Sequence, residues 1–279
     1  MLKPASALKI VLLATCVIAL ATGALAQGGP PATGDPASLS AVKILLTMKK
    51  VYATCASYRD TGTVRTTGTI EGGSFGSEVP FATAFVRPGP FRFQFEDRGL
   101  GDRSSVYIVW SNGSEVRSWW DAEPGVRSPG SLQEALDAPA GITSDASIRV
   151  PGMLLPATVG AGAPLIDPER IDDETDRGVA CFRIKGKSRA TPYTLSGGSV
   201  SATVRDETTT LWIDRALFVI RKIEQRQTLD TYKSTITTTY SPELDPAMTP
   251  ADVAFNPPAA GQPAPPAVAA PPAVATPPT

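Results

Sequence analysis

Five phenylalanines at strand spacing around a proline break constrain this chain more than any other feature. Phe81 and Phe85, with Thr83 between them, share one face of a segment over 79–87. Phe91, Phe93 and Phe95 share one face of the next, with Arg92, Gln94 and Glu96 on the other. A period of two belongs to β-strands, and Pro88-Gly89-Pro90 breaks the run between them. The pair reads as a hairpin with one apolar face, which must pack on something.

More strand signal surrounds it. Tyr58 to Ile70 is rich in Thr and alternates small with polar residues, and Glu71 to Ser77 is glycine-rich and suits a turn. Val106–Trp110 and Glu115–Trp120 flank Asn112-Gly113, a strong hairpin signal. Strand character returns at 179–184, 201–204, 208–214, 218–227 and 232–240. Helical signal is sparser. Ser38 or Ser40 caps a helix to about Cys55, with Leu39, Val42, Leu45, Leu46 and Val51 on or near one face. Short helices are expected at 131–136 and 147–155, and a last helical turn at Thr249–Asp252. The order predicts an α+β protein: a curved, incompletely closed antiparallel β-barrel covered by helices.

The ends differ from this middle. Lys3 and Lys9, an apolar run over 10–20 and Ala24-Leu25-Ala26 read as a cleavable secretory signal peptide over residues 1–26, which implies a periplasmic address. The alternative is lipid anchoring through Cys16, whose flanks match poorly. Residues 27–37 read as a flexible leader, 38–256 as the domain, and 257–279 as a disordered Pro/Ala tail. Two cysteines follow the signal, Cys55 and Cys181. In an oxidising compartment they are candidates for a disulfide, with two separate buried thiols as the alternative.

The chain has no histidine, which excludes Ser-His-Asp catalysis and the common zinc sites. Gly72-Gly73-Ser74-Phe75-Gly76 matches a nucleophile elbow only as a string, since no buried strand leads in and no base exists. The acidic run Asp172–Asp176 lacks calcium-loop spacing. Asp60, Glu96, Asp121 and Asp214 are isolated carboxylates with nothing to pair them for glycoside hydrolysis. No metal, cofactor or catalytic residue is expected. A formal net charge of −1, with no basic stripe, points away from nucleic acid.

Thr210-Leu211-Trp212-Ile213-Asp214, a short turn and Phe218 to Glu224 resemble a strand pair of the periplasmic lipoprotein-carrier (LolA-like) family. So do the opening helix with Cys55 to Asp60, the Phe85-Val86-Arg87-Pro88 step, and the close from Thr249 through Phe255 to Pro258. The Gly125–Pro168 insert, the cysteine pair and the tail depart from that family. The resemblance implies a non-catalytic periplasmic protein that holds acyl chains of lipid or lipidated protein in an apolar cavity, with transient membrane contact. Phe81, Phe85, Phe91, Phe93, Phe95, Trp110 and Trp212 are the candidate wall. The alternative is an envelope-sensing or protein-interaction module on the same fold, with an envelope protein as partner.

Overall fold

Alternating side chains sort the chain onto two faces of one large sheet. The computed structural model describes residues 38–98, 104–156, 165–197 and 200–258, all in one compact unit. The expected signal peptide, Cys16, the leader 27–37 and all but the first two residues of the expected tail lie outside them. Helix α1 spans Ala41–Thr54. The strands that follow are β1 (Ser57–Ile70), β2 (Gly73–Val86), β3 (Pro90–Asp97), β4 (Ser105–Asn112), β5 (Val116–Trp120) and β6 (Glu123–Arg127). Helices α2 (Leu132–Asp137) and α3 (Ala146–Leu154) come next. Then come β7 (Ile166–Asp176), β8 (Val179–Lys187), β9 (Tyr193–Gly197), β10 (Val200–Asp214), β11 (Ile220–Leu229), β12 (Lys233–Tyr240) and β13 (Glu243–Leu244). Helix α4 (Pro250–Val253) closes the order.

All described ladders are antiparallel, in the order β6-β5-β4-β3-β2-β1-β12-β11-β10-β8-β7. β13 adds to β1 and β9 to β10. No ladder among the described residues joins β6 to β7, so the sheet stays open. Local chemistry sets the connections. At the β4–β5 hairpin, Asn112 Oδ1 accepts from the backbone N–H of Ser114 and Glu115, each at 2.9 Å, and Gly113 takes φ +102°. The expected turn over Glu71–Ser77 shrinks to Glu71-Gly72, because pairing from Ile70↔Gly73 onward carries the glycine-rich stretch into β2.

The inner face carries the aromatic ladder. Phe81 opposes Phe95, Thr83 opposes Phe93 and Phe85 opposes Phe91. Phe81 stacks on Phe93 at 5.9 Å between centroids and meets Tyr240 edge-on at 5.4 Å. Gly62 makes room, since a Cβ there would lie 2.3 Å from a Phe81 ring atom. These rings join residues of α1, α2 and α3 in one core. On the outer face, Trp110 and Trp119 pack against Phe255, just after α4.

The disulfide expected between Cys55 and Cys181 is not formed; both thiols are buried and free. Cys55 ends α1 within the inner core, its thiol donating to the Tyr52 carbonyl at 3.3 Å. Cys181 alternates with the inward Phe182 on β8 and so faces outward, opposite Asp214. The sheet separates them. Burial pushes both thiols up to about 11, and the Asp176 and Asp214 carboxylates add to that effect at Cys181.

Candidate functional site

Helix α1 is pinned at both ends, and between the pins one of its sides faces a gap. Ser40 caps it, its hydroxyl accepting from Lys43 N at 3.3 Å. Arg170 of β7 donates to the Leu39 carbonyl at 2.9 Å. At the other end Arg87 donates to the carbonyls of Cys55 (2.8 Å) and Tyr52 (3.1 Å), and Tyr52 OH accepts from Ile220 N at 3.0 Å. The two Arg87 bonds satisfy carbonyls that a helix C-terminus leaves open.

The face that α1 buries is Ala41, Ile44, Met48 and Tyr52. That differs from the stripe expected from the sequence. Val42 and Leu46 stand 55% and 59% exposed, at the mouth of an apolar groove of about 240 Å³. From α1 the groove is lined by Val42, Leu45, Leu46, Met48 and Lys49, and from α3 by Arg149 and Met153. Its far side is Leu165, Pro168 of β7, Leu211 of β10 and Ile220 of β11. A second hollow, of about 340 Å³, lies over Gly68, Phe75 and Ser234, with Thr67, Thr69, Ser74 and Thr235 also in its lining.

Two cations enter an otherwise apolar lining. Lys49 is half-buried and has no ion-pair or hydrogen-bond partner among the described residues. The Arg149 side chain is 13% exposed, and its nearest carboxylate oxygen is Asp145 Oδ2 at 3.8 Å. Asp145 is shared with Arg189, at 3.4 Å. The Tyr240 hydroxyl, within reach of the Arg149 charge, is buried without a hydrogen-bond partner among the described residues.

The candidate wall residues fall elsewhere. Phe81, Phe85, Phe91, Phe93 and Phe95 are at most 3% exposed and form the packed interior; none lines the groove. Trp110 and Trp212 face outward, Trp212 with Lys222 Nζ 3.8 Å from its ring centroid. Leu211, beside Trp212 in the chain, does reach the groove.

The isolated carboxylates have structural partners. Asp214 caps its turn, accepting from Ala216 N (2.8 Å) and Leu217 N (3.0 Å), and pairs with Arg221 at 2.8 Å. Asp121 accepts from Val106 N at 2.9 Å. Glu96 pairs with Arg98. In the acidic run, Asp173 is held by Arg170, Glu174 by Arg183, and Asp176 by Arg177 and Lys222. Asp60 is fully enclosed, accepting from Tyr58 OH (2.7 Å) and Thr83 N (3.0 Å). Burial pushes its carboxyl up to about 6 against the pull of those bonds. Sequence reasoning missed Glu207, 1% exposed, which accepts from Ser188 N and from the Tyr193 and Thr209 hydroxyls. No helix among the described residues is long and apolar enough to cross a membrane.

No family model matches the chain, and no curated protein does. Among solved structures it is similar to a LolA superfamily protein from Nitrosomonas europaea (11% identity, 78% of this chain and 99% of that one, TM-score 0.32). It is also similar to a DUF1329 family protein from Desulfovibrio piger (13% identity, 76% and 94%, TM-score 0.30). A third likeness is to the MucA/MucB complex of Pseudomonas aeruginosa (10% identity, 77% and 61%, TM-score 0.37). The fold expected from the sequence, a curved, incompletely closed antiparallel barrel covered by helices, is found here as a large open antiparallel sheet with few helices.

Proposed function

We propose that this protein is a non-catalytic carrier or receptor for an acyl group of a lipid or lipidated protein, held in the groove beneath α1. The observation that carries the reading is an apolar recess with an exposed mouth, bounded by Leu46, Met153, Leu211 and Ile220. Each methylene buried there contributes about 0.8 kcal/mol, so such a site needs area and a way in, with no reacting side chain. The carboxylates weighed above are held by structural partners, which fits a binding role. The N-terminal 26 residues, read as a secretory signal, would put this activity in the periplasm.

A second reading rests on the mouth itself. Val42 and Leu46 lie in the open along one side of α1, where an apolar side chain of an envelope protein would dock as readily as an acyl terminus. Native mass spectrometry of the protein purified from a bacterial envelope separates the two. The acyl reading expects a co-purifying lipid mass, lost in Leu46→Trp. Parent protein that carries no lipid, and takes up none from vesicles of phosphatidylethanolamine and phosphatidylglycerol, would overturn it.

A further inference from the structure

We infer that the groove takes a single-chain anionic amphiphile, with one acyl chain in the recess and the head-group anion against Lys49 and Arg149. The inference rests on the acyl reading above and adds the number of chains and the sign of the head group. Two independent observations carry it.

The first is size. The recess measures about 240 Å³, below the roughly 300–1,000 Å³ that drug-sized ligands occupy. It suits one chain and is short of room for the several chains of a diacyl or triacyl anchor. The solid phenylalanine core beside it offers no extension, because Phe81, Phe85, Phe91 and Phe93 leave nothing exposed.

The second is charge. Cations taken out of water are costly unless something pairs with them. Among the described residues the Lys49 ammonium has no partner, and Arg149 shares one carboxylate, at 3.8 Å, with Arg189. Lys49 and Arg149 thus bring two positive charges to an apolar lining, and the one carboxylate ion-paired to Arg149 among the described residues, Asp145, is itself shared with Arg189. A carboxylate or phosphate would complete that balance; a neutral or cationic head would leave it unmet. The lining supplies no other charged side chain.

The test measures binding of dodecanoate, dodecyl phosphate and dodecanol, each below its aggregation concentration, by displacement of a fluorescent fatty acid. Either anion is expected to bind roughly tenfold or more tightly than dodecanol. The preference should weaken with added salt and disappear in Lys49→Gln/Arg149→Gln. Native mass spectrometry should show one chain per protein. Should the double variant not fold, Lys49→Gln alone, at a half-exposed site, should lose part of the preference. Equal binding of dodecanol and both anions, or a preference that survives in a folded double variant, overturns the head-group assignment and leaves the acyl reading standing. Failure of all three probes overturns both.

Discussion

The two halves of the inner face solve the same burial problem with different side chains. From β1 to β4 the space is filled by rings: Phe81, Phe85, Phe91, Phe93, Phe95, Tyr58 and Tyr107. Across β8, β10 and β11 the apolar residues of the core are mainly aliphatic, among them Ile184, Leu211, Ile213 and Ile220, with Phe182 an exception, and the buried polar Glu207, Thr209 and Gln225 lie farther along β10 and β11. The rings share one core with residues of α1, α2 and α3, whereas α1 and α3 leave a recess beside Leu211 and Ile220. Side-chain volume therefore decides where the interior is solid and where it admits a guest.

The sharpest way to break this contrast is to empty the solid half. Phe93→Ala should cost about 3–5 kcal/mol in urea unfolding and leave acyl binding at the groove unchanged, since Phe93 does not line the groove. Loss of binding in a folded Phe93→Ala protein would mean the halves are one cavity.

Next in size is the buried acid among the rings. Asp60 lies among Tyr58, Thr83, Tyr52 and Tyr240, and its pKa rises from 3.8 to about 6 on folding. The unfolded chain releases this proton first, so the group's ionisation weakens the fold as pH climbs from about 4 to above 6. Asp60→Asn should stabilise by up to about 3 kcal/mol above pH 7, and by little below pH 4. Its unfolding free energy should lack the decline the parent shows across that window. Unchanged pH dependence in the variant would show that Asp60 is not the group titrating.

The smallest effect on stability belongs to the open half. Leu46→Trp alters a residue that is 59% exposed, so thermal unfolding should move by no more than about 0.5 kcal/mol. Acyl affinity should nonetheless fall sharply as the ring fills the mouth.

Much of the solid half was legible in the sequence, because alternation and turn residues act locally. The Phe ladders, the Asn112-Gly113 hairpin and the Ser40 cap needed only neighbouring residues to be read. The open half was harder. β7 is an edge strand whose residues are mostly exposed and charged, so it has no apolar alternation and reads as an acidic run. β10 reads as two strands because the charged run Arg205-Asp206-Glu207 interrupts its pattern, and the structure carries a register shift between Val204 and Asp206 there. The groove draws on α1, α3, β7, β10 and β11, distant in sequence, and no local motif marks it. One signal is present: Val42, Leu45 and Leu46 belong to an apolar stripe, which the pins at Leu39 and Tyr52 turn toward the recess rather than the core.

Paramagnetic broadening tests the central claim most directly. With a spin label on the chain of a bound fatty acid, amide spectra should lose intensity at Leu46, Met153, Leu211 and Ile220. Signals of Phe81, Phe93 and Phe95 should keep theirs. Broadening centred on the phenylalanine ladder, or spread evenly over the surface, would contradict the account.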